Sequence, residues 1–339
     1  MKRQWKSTLD IVGRDAAIAA VRGRVPHFIN TVAEAYILHA QGLTENPPSR
    51  FLRIPGRAPD RAIALPAYVG SDRNVYGMKW ISSVPGNNAR GIPRASGVVV
   101  LNDAESGFPL ACVEASVINA VRTAASAALG ARYLSPDGPA ESVLGVVGTG
   151  YIASATVSYL LADGWKFSQV LAFDADVEKL AGLHRKEPYV GMDIVVCDSA
   201  ERVTAESDIV LFATTASQPY LDSLGGRPTV LHLSLRDIGV EAISTSQNIV
   251  DDVDMCLSEA TSLHLTEMEL RHRDFIDGTI VDLMTGLVHP DPLRPRVFSP
   301  FGMGILDVMV ADEIYQHTVA SGQLVRVESF FGDSVADVV

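Results

Sequence analysis

Apolar residues recur at Ala17, Ile18, Val21, Phe28, Val32, Ala35 and Leu38. This is close to the helical period and predicts a helix over residues 14–42. Pro26 has no amide hydrogen and is expected to interrupt or kink it. Between residues 50 and 113 the pattern changes to short runs: FLRIP, AIALPAYV, VYGMKWISSV, SGVVVLND and FPLACV. Turn-forming stretches such as IPGRAPD and VPGNNARG separate them, so the region reads as strands and turns without crossover helices. Helical spacing returns in the alanine-rich EASVINAVRTAASAALGARYL, residues 114–134.

After a turn at SPDGP the pattern becomes an alternation. SVLGVVGTG is a short apolar strand running into a glycine turn, and YIASATVSYLLADG is a helix. QVLAFD, DIVVCD, DIVLFATT and TVLHLSL follow as further strands, with helical segments between several of them. Such alternation predicts an α/β fold with a Rossmann-type, doubly wound parallel sheet, starting near residue 140 and ending near 251. Residues 303–321, MGILDVMVADEIYQHTVAS, form a last amphipathic helix that is expected to return to the N-terminal region. The expected organisation is a nucleotide-binding domain over 126–297 and a discontinuous α+β substrate-binding and oligomerisation domain over 1–125 and 298–339.

At 339 residues, with 47% apolar and 20% charged side chains, the chain can bury a sizeable core. The net charge of -12 argues against nucleic acid or an anionic membrane as partner, though not against an anionic small substrate in a locally cationic pocket. Cys112, Cys197 and Cys256 lack paired spacing and read as reduced core residues of a cytoplasmic protein. The basic start MKRQWKSTLD is not followed by an apolar run and does not read as a signal peptide. No apolar stretch of about 18 residues is present to span a membrane. The eight histidines form no ligand cluster and no metal is expected. His232 on its strand reads as a satisfied core residue, and the carboxylates of DDVD at 251–254 read as a polar loop.

The glycine turn carries the first candidate chemistry. Gly148-Thr149-Gly150-Tyr151-Ile152-Ala153 has the GxGxxA form, after a strand and at the start of a helix. In that setting Gly148 permits the tight turn, Gly150 lets backbone approach a pyrophosphate, and Ala153 allows close helix–strand packing. The helix start supplies amide hydrogens and partial positive charge for the phosphates. Asp174 closes the second strand, where a carboxylate accepts from ribose hydroxyls and repels a 2′-phosphate. No arginine directly follows it in FDADVEK, so NAD is expected rather than NADP. Thr214 and Thr215 end the fourth strand; they either line the cofactor or cap a helix.

Three cations stand in apolar surroundings: Arg53 after Phe51 and Leu52, Lys79 in YGMKWISSV, and Arg122 in VINAVRTAASAAL. A buried cation needs a partner, which is either a structural salt bridge or a substrate carboxylate.

With these residues in GMKWISS, RASGVVVLNDAESGFPLACVEAS, VRTAASAALGARYL, GVVGTGYIA, LRDIG and FSPFGMGILD, the chain resembles the ornithine cyclodeaminase and mu-crystallin family over nearly its whole length. Within it, the similarity is greatest to the branch that oxidises N-(2-amino-2-carboxyethyl)-L-glutamate with NAD. That branch supplies 2,3-diaminopropionate for siderophores and peptide antibiotics. The resemblance implies that Arg53, with Arg50 as its alternative, Lys79 and Arg122 hold substrate carboxylates, with Lys79 also in the chemistry. It implies that Phe301 contacts substrate and that Asp237 in HLSLRDIG is the catalytic acid–base. From the residues alone, Asp237 also reads as an N-cap for the helix IGVEAI. Further cofactor contacts are implied at Ser96, Thr123, Ser234 and Leu235. The SLRD stretch and the KWISS ending depart from the cyclodeaminase pattern, which turns the expectation away from ornithine. Cyclodeaminase, ketimine reductase and alanine dehydrogenase remain alternative activities. A mu-crystallin-like binding protein is the non-enzymatic alternative. A homodimer acting on a small amino-acid-derived substrate is the expected assembly.

Overall fold

The computed structural model describes residues 7–135 and 138–332. The basic start at residues 1–6, and Pro136 and Asp137 of the expected SPDGP turn, lie outside the described residues. The chain forms two compact units, residues 1–122 with 303–339, and residues 123–302.

In the first unit the N-terminal helix is two helices, Arg14–Val21 and Val25–Ala40. Pro26 lies in the first turn of the second helix, where its missing amide hydrogen costs nothing because first-turn amides have no partner within the helix. The five strands expected between residues 50 and 113 form one sheet together with three that the pattern did not mark, Leu9–Val12, Thr44–Glu45 and Val325–Val327. Its strand order is Val325–Val327, Leu9–Val12, Pro109–Glu114, Ala95–Asp103, Val75–Ser83, Arg61–Val69 and Thr44–Glu45, and Arg50–Arg53 also pairs with Arg61–Val69. All pairs are antiparallel except Leu9–Val12 with Pro109–Glu114. Along the central strand Val75, Gly77, Lys79, Ile81 and Ser83 are buried, while Tyr76, Met78, Trp80 and Ser82 point the other way. The helix Gly304–Ser321 packs on strands Arg61–Val69 and Val75–Ser83 and on helix Val25–Ala40. It is buried nearly all round through Val310.

The second unit holds an eight-stranded sheet in which every pair is parallel. Its order is Ile194–Val196, Lys166–Phe173, Glu141–Val147, Ile209–Phe212, Thr229–His232, Arg296–Ser299, Gln247–Val250 and Ile276–Thr279. The sheet therefore does not end near residue 251. Ile276–Thr279 extends its edge, and Arg296–Ser299 inserts between two earlier strands. Both are four-residue segments, IDGT and RVFS, one with a glycine and the other opening on an arginine, so neither carries an apolar run long enough to mark a strand. Glu141–Val147 lies between Lys166–Phe173 and Ile209–Phe212, so the strand order reverses at its carboxyl end. Open parallel sheets bind ligands at such a reversal. Val147, Leu171, Phe212, Val230, Val250 and Val297 belong to the apolar core beneath it.

Candidate active site

The glycine turn sits at that reversal. Gly148 has a φ of +86°, and a Cβ there would lie 2.6 Å from the Ala213 carbonyl oxygen, so only glycine fits. Gly150 precedes the helix Tyr151–Ala162, and no side chain caps the helix start. A Cβ built on Gly150 meets nothing within 4 Å; the space over the helix start is clear for a phosphate to approach the backbone. Ala153 is fully buried, Ile152 is half-buried and Tyr151 is exposed. Asp174 lies beside the turn. Its Oδ2 accepts from the Thr149 amide at 2.8 Å and the Thr149 hydroxyl at 3.0 Å. Its Oδ1 accepts from the Asp176 amide at 3.0 Å and stands 3.7 Å from Lys179 Nζ. The residues present fit a dinucleotide, with one lone pair of Oδ1 left for a ribose hydroxyl.

A second cluster forms at the ends of the neighbouring strands around Asp237, which is fully buried. Its Oδ1 accepts from Thr214 Oγ1 at 2.5 Å and from the Tyr220 hydroxyl at 3.0 Å. Its Oδ2 accepts from Ser234 Oγ and lies 3.2 Å from His232 Nε2. His232 Nδ1 is 3.2 Å from Ser299 Oγ, on the strand that sequence reading missed. Burial alone would raise the Asp237 carboxyl. The imidazole of His232 and the hydroxyls of Ser234 and Thr214 outweigh it and hold the group down at about 2. Burial and the Asp237 charge push the Tyr220 phenol up.

Asp237 is not an N-cap. Gly239 precedes the helix Val240–Thr245, and all four partners of the Asp237 carboxylate are side chains. Thr214 caps no helix either; besides Asp237 it accepts the Ala216 amide at 3.1 Å. Thr215 is exposed, and Leu235 holds a positive φ of 67° in the loop that carries Ser234.

The cationic cluster belongs to the first unit. Lys79 Nζ lies 2.7 Å from Asp307 Oδ2, and Arg122 Nε lies 3.4 Å from Asp307 Oδ1. Asn119 Oδ1 accepts from both cations, at 3.2 Å from Lys79 and 2.7 Å from Arg122. The three charged side chains are 2%, 14% and 0% exposed for Lys79, Arg122 and Asp307. Burial pushes Lys79 down, Asp307 pulls it up and Arg122 pushes it down again; the result is about 8. Two cations and one carboxylate leave a single net positive charge, so the cluster balances one substrate carboxylate and not several.

Arg53 does not join this cluster. It is exposed on the edge strand Arg50–Arg53, with its guanidinium 5.5 Å from the centre of the Phe51 ring, and Arg50 is exposed as well. An edge strand leaves one side unpaired, so apolar neighbours in sequence did not bring burial here. Ser96 is exposed opposite Ser82, and Thr123 is half-buried in helix Ala115–Leu134. The Phe301 amide donates at 2.8 Å, and the Gly302 amide at 2.7 Å, to buried Asp251, so the Phe301 backbone contact is internal; its ring packs against the core. Asp252 caps the helix Val253–Cys256 through the Met255 amide.

Asp307, Asn119, His232 and Tyr220 were not singled out by sequence as site residues. Only Asp307, an acid inside the apolar run GILDVMV, carried a signal that could have found it.

The profile of the ornithine cyclodeaminase/mu-crystallin family matches residues 16–322. The chain belongs to this family. Among curated members it is 28% identical, over 85% of its length and 89% of the other's, to N-((2S)-2-amino-2-carboxyethyl)-L-glutamate dehydrogenase of Staphylococcus aureus. Two solved structures share its fold. One is the Thermococcus litoralis Δ1-pyrroline-2-carboxylate reductase in complex with NADH and L-proline, with a TM-score of 0.86 at 21% identity, covering 94% of this chain and 100% of that one. The other is an archaeal alanine dehydrogenase dimer with bound NAD, with a TM-score of 0.84 at 22% identity, covering 95% and 99%. Among the described residues of this cyclodeaminase/mu-crystallin member, no helix is long and apolar enough to cross a membrane, and no group of three or more His, Cys, Asp or Glu side chains is placed to hold a metal ion.

Proposed function

We propose that the chain oxidises N-(2-amino-2-carboxyethyl)-L-glutamate and releases 2-oxoglutarate and 2,3-diaminopropionate, a building block for siderophores or peptide antibiotics. At the coarser level it is an NAD-dependent oxidoreductase acting on the C–N bond of an amino-acid substrate. The finer statement is supported by the S. aureus relative; the buried Lys79–Asp307–Arg122 cluster supplies charge for one of that substrate's three carboxylates, the α-carboxylate. The chemistry supplied by NAD when bound is acceptance of a hydride from the glutamate α-carbon. Gly148, Gly150, Thr149 and Asp174 orient it. Arg122 and Lys79 take the α-carboxylate. Lys79, at about 8, is matched to proton transfer near neutral pH. Asp237 is held near 2 and carries a proton poorly alone. It therefore acts with His232, as one unit that orients the water adding to the imine carbon and returns a proton to the departing amine.

The charge count also favours a second substrate class, an amino acid with a single carboxylate. A panel decides: the secondary amine, alanine, proline and ornithine, each with NAD, following NADH absorbance and identifying products by mass. Turnover of the secondary amine to 2-oxoglutarate supports the proposed reaction. Turnover confined to alanine or proline refutes it.

The chain is proposed to work as a homodimer. Met78 and Trp80 are exposed on the uncovered face of the first unit's sheet, with Leu52 on its edge strand more than half exposed. Light scattering on the protein and on Trp80→Asp tests this; a monomeric wild type overturns it.

A further inference from the structure

We propose that Asp307 is a positioning residue for the reaction, the buried counter-charge that aims Lys79 and Arg122, acting through them and not on the substrate. The inference rests on the proposed role of those two cations. Asp307 sits in the first turn of helix Gly304–Ser321, with Ile305, Leu306 and Val308 buried around it. An acid there gains from the helix dipole, but a fully buried carboxylate still costs several kcal/mol to desolvate. Its compensation is ionic, at 2.7 Å from Lys79 and 3.4 Å from Arg122. An apolar residue of similar size would pack in this turn without that cost, so the carboxylate is better accounted for by what it holds than by stability.

What it holds is fixed at two points. Asp307 gathers the cations from one side, and the Asn119 amide oxygen, on the same helix as Arg122, accepts from both. The charged groups acting on Lys79 are Asp307 and Arg122, while its partners across the sheet, Leu65 and Val99, are apolar. Burial and Arg122 both push Lys79 toward neutrality, and Asp307 is the opposing influence. Without it nothing opposes burial and Arg122, so Lys79 holds its proton less well, and the cluster loses the ion pairs that set its shape.

The test compares Asp307→Asn and Asp307→Glu with wild type. Two quantities are read: the pH profile of kcat/KM, and the pH midpoint for carbamylation of Lys79 by cyanate, followed by peptide mass spectrometry. Asp307→Asn should lower the cyanate midpoint by at least about one pH unit, move the alkaline limb of kcat/KM down with it, and cut kcat/KM at neutral pH roughly 10²-fold, the loss expected when reacting groups are misplaced by about 1 Å. NAD binding should be unchanged. A midpoint that does not move overturns the proposal, as does a rate that falls equally at every pH. If Asp307→Asn does not fold, Asp307→Glu decides. It keeps the charge and displaces it, so the midpoint should hold while kcat drops; an unchanged kcat overturns the proposal. If wild type turns over no amine in the panel, the proposed activity fails, and the cyanate midpoint still decides the role of Asp307.

Discussion

Replacing Asp237 by asparagine separates the two things this carboxylate does. In the folded chain it sits at about 2, against an ordinary 3.8, despite complete burial. At about 1.4 kcal/mol per tenfold change in proton affinity, that difference corresponds to about 2.5 kcal/mol of folding stability. The sign follows from linkage: the folded value is depressed, so the contribution is complete above 3.8 and is lost as the pH falls toward 2. Asparagine keeps the shape. Its oxygen still accepts from Thr214 and Tyr220, while its NH2 faces Ser234 Oγ, which can turn to accept, and His232 Nε2. The cost of the charge-assisted bonds is about 1–3 kcal/mol, which leaves a folded protein. Turnover should fall roughly 10²–10⁴-fold, the usual worth of acid–base help. NAD affinity, measured by quenching of protein fluorescence, should not change. Denaturant melts of both proteins between pH 6 and pH 2 should converge as the wild type loses its advantage. A variant with wild-type kcat refutes the assignment of Asp237 to the chemistry. A stability gap that persists unchanged at the lowest pH refutes the electrostatic account.

Arg122→Ala should raise KM strongly with little change in cofactor binding, because it removes a charged partner of the substrate carboxylate and leaves Asp307 underbalanced; steady-state kinetics with an unaltered KM would remove Arg122 from the site. Asp174→Ala removes the carboxylate that faces the ribose, while Lys179 keeps Asp176 at 3.5 Å, and should weaken NAD while improving NADP, read as the ratio of the two kcat/KM values; an unchanged ratio counts against the ribose assignment. Gly148→Ala forces a Cβ to 2.6 Å from the Ala213 carbonyl at a positive φ, so it should cost more than the 1–2 kcal/mol typical of a left-handed non-glycine residue and should abolish NAD binding, checked by thermal melts with and without NAD. Lys79 is depressed in the folded state, so its contribution to stability should increase as pH rises from about 8 toward 10.5, where the unfolded chain still holds the proton; Lys79→Met should lack that slope in pH-dependent melts.

The sequence by itself determined the parts of this protein that are governed by neighbours in the chain. Hydrophobic period marked five strands of the first unit, from Arg50–Arg53 to Pro109–Glu114, though not Leu9–Val12, Thr44–Glu45 or Val325–Val327, and it marked the helix Ala115–Leu134 and the first strands of the parallel sheet. The glycine turn could be read because its requirement is local: a left-handed backbone at Gly148 and bare backbone at Gly150. Tertiary structure decided what depends on groups far apart in sequence. No spacing rule brings Asp307 onto Lys79, or Ser299 onto His232, since a side chain's burial and charge state are set by the elements that close over it. The same physics placed Arg53 in solvent although it follows Phe51 and Leu52, because its strand lies on a sheet edge. It also inserted Arg296–Ser299 between two strands, because parallel pairing there satisfies backbone hydrogen bonds that its four residues did not announce.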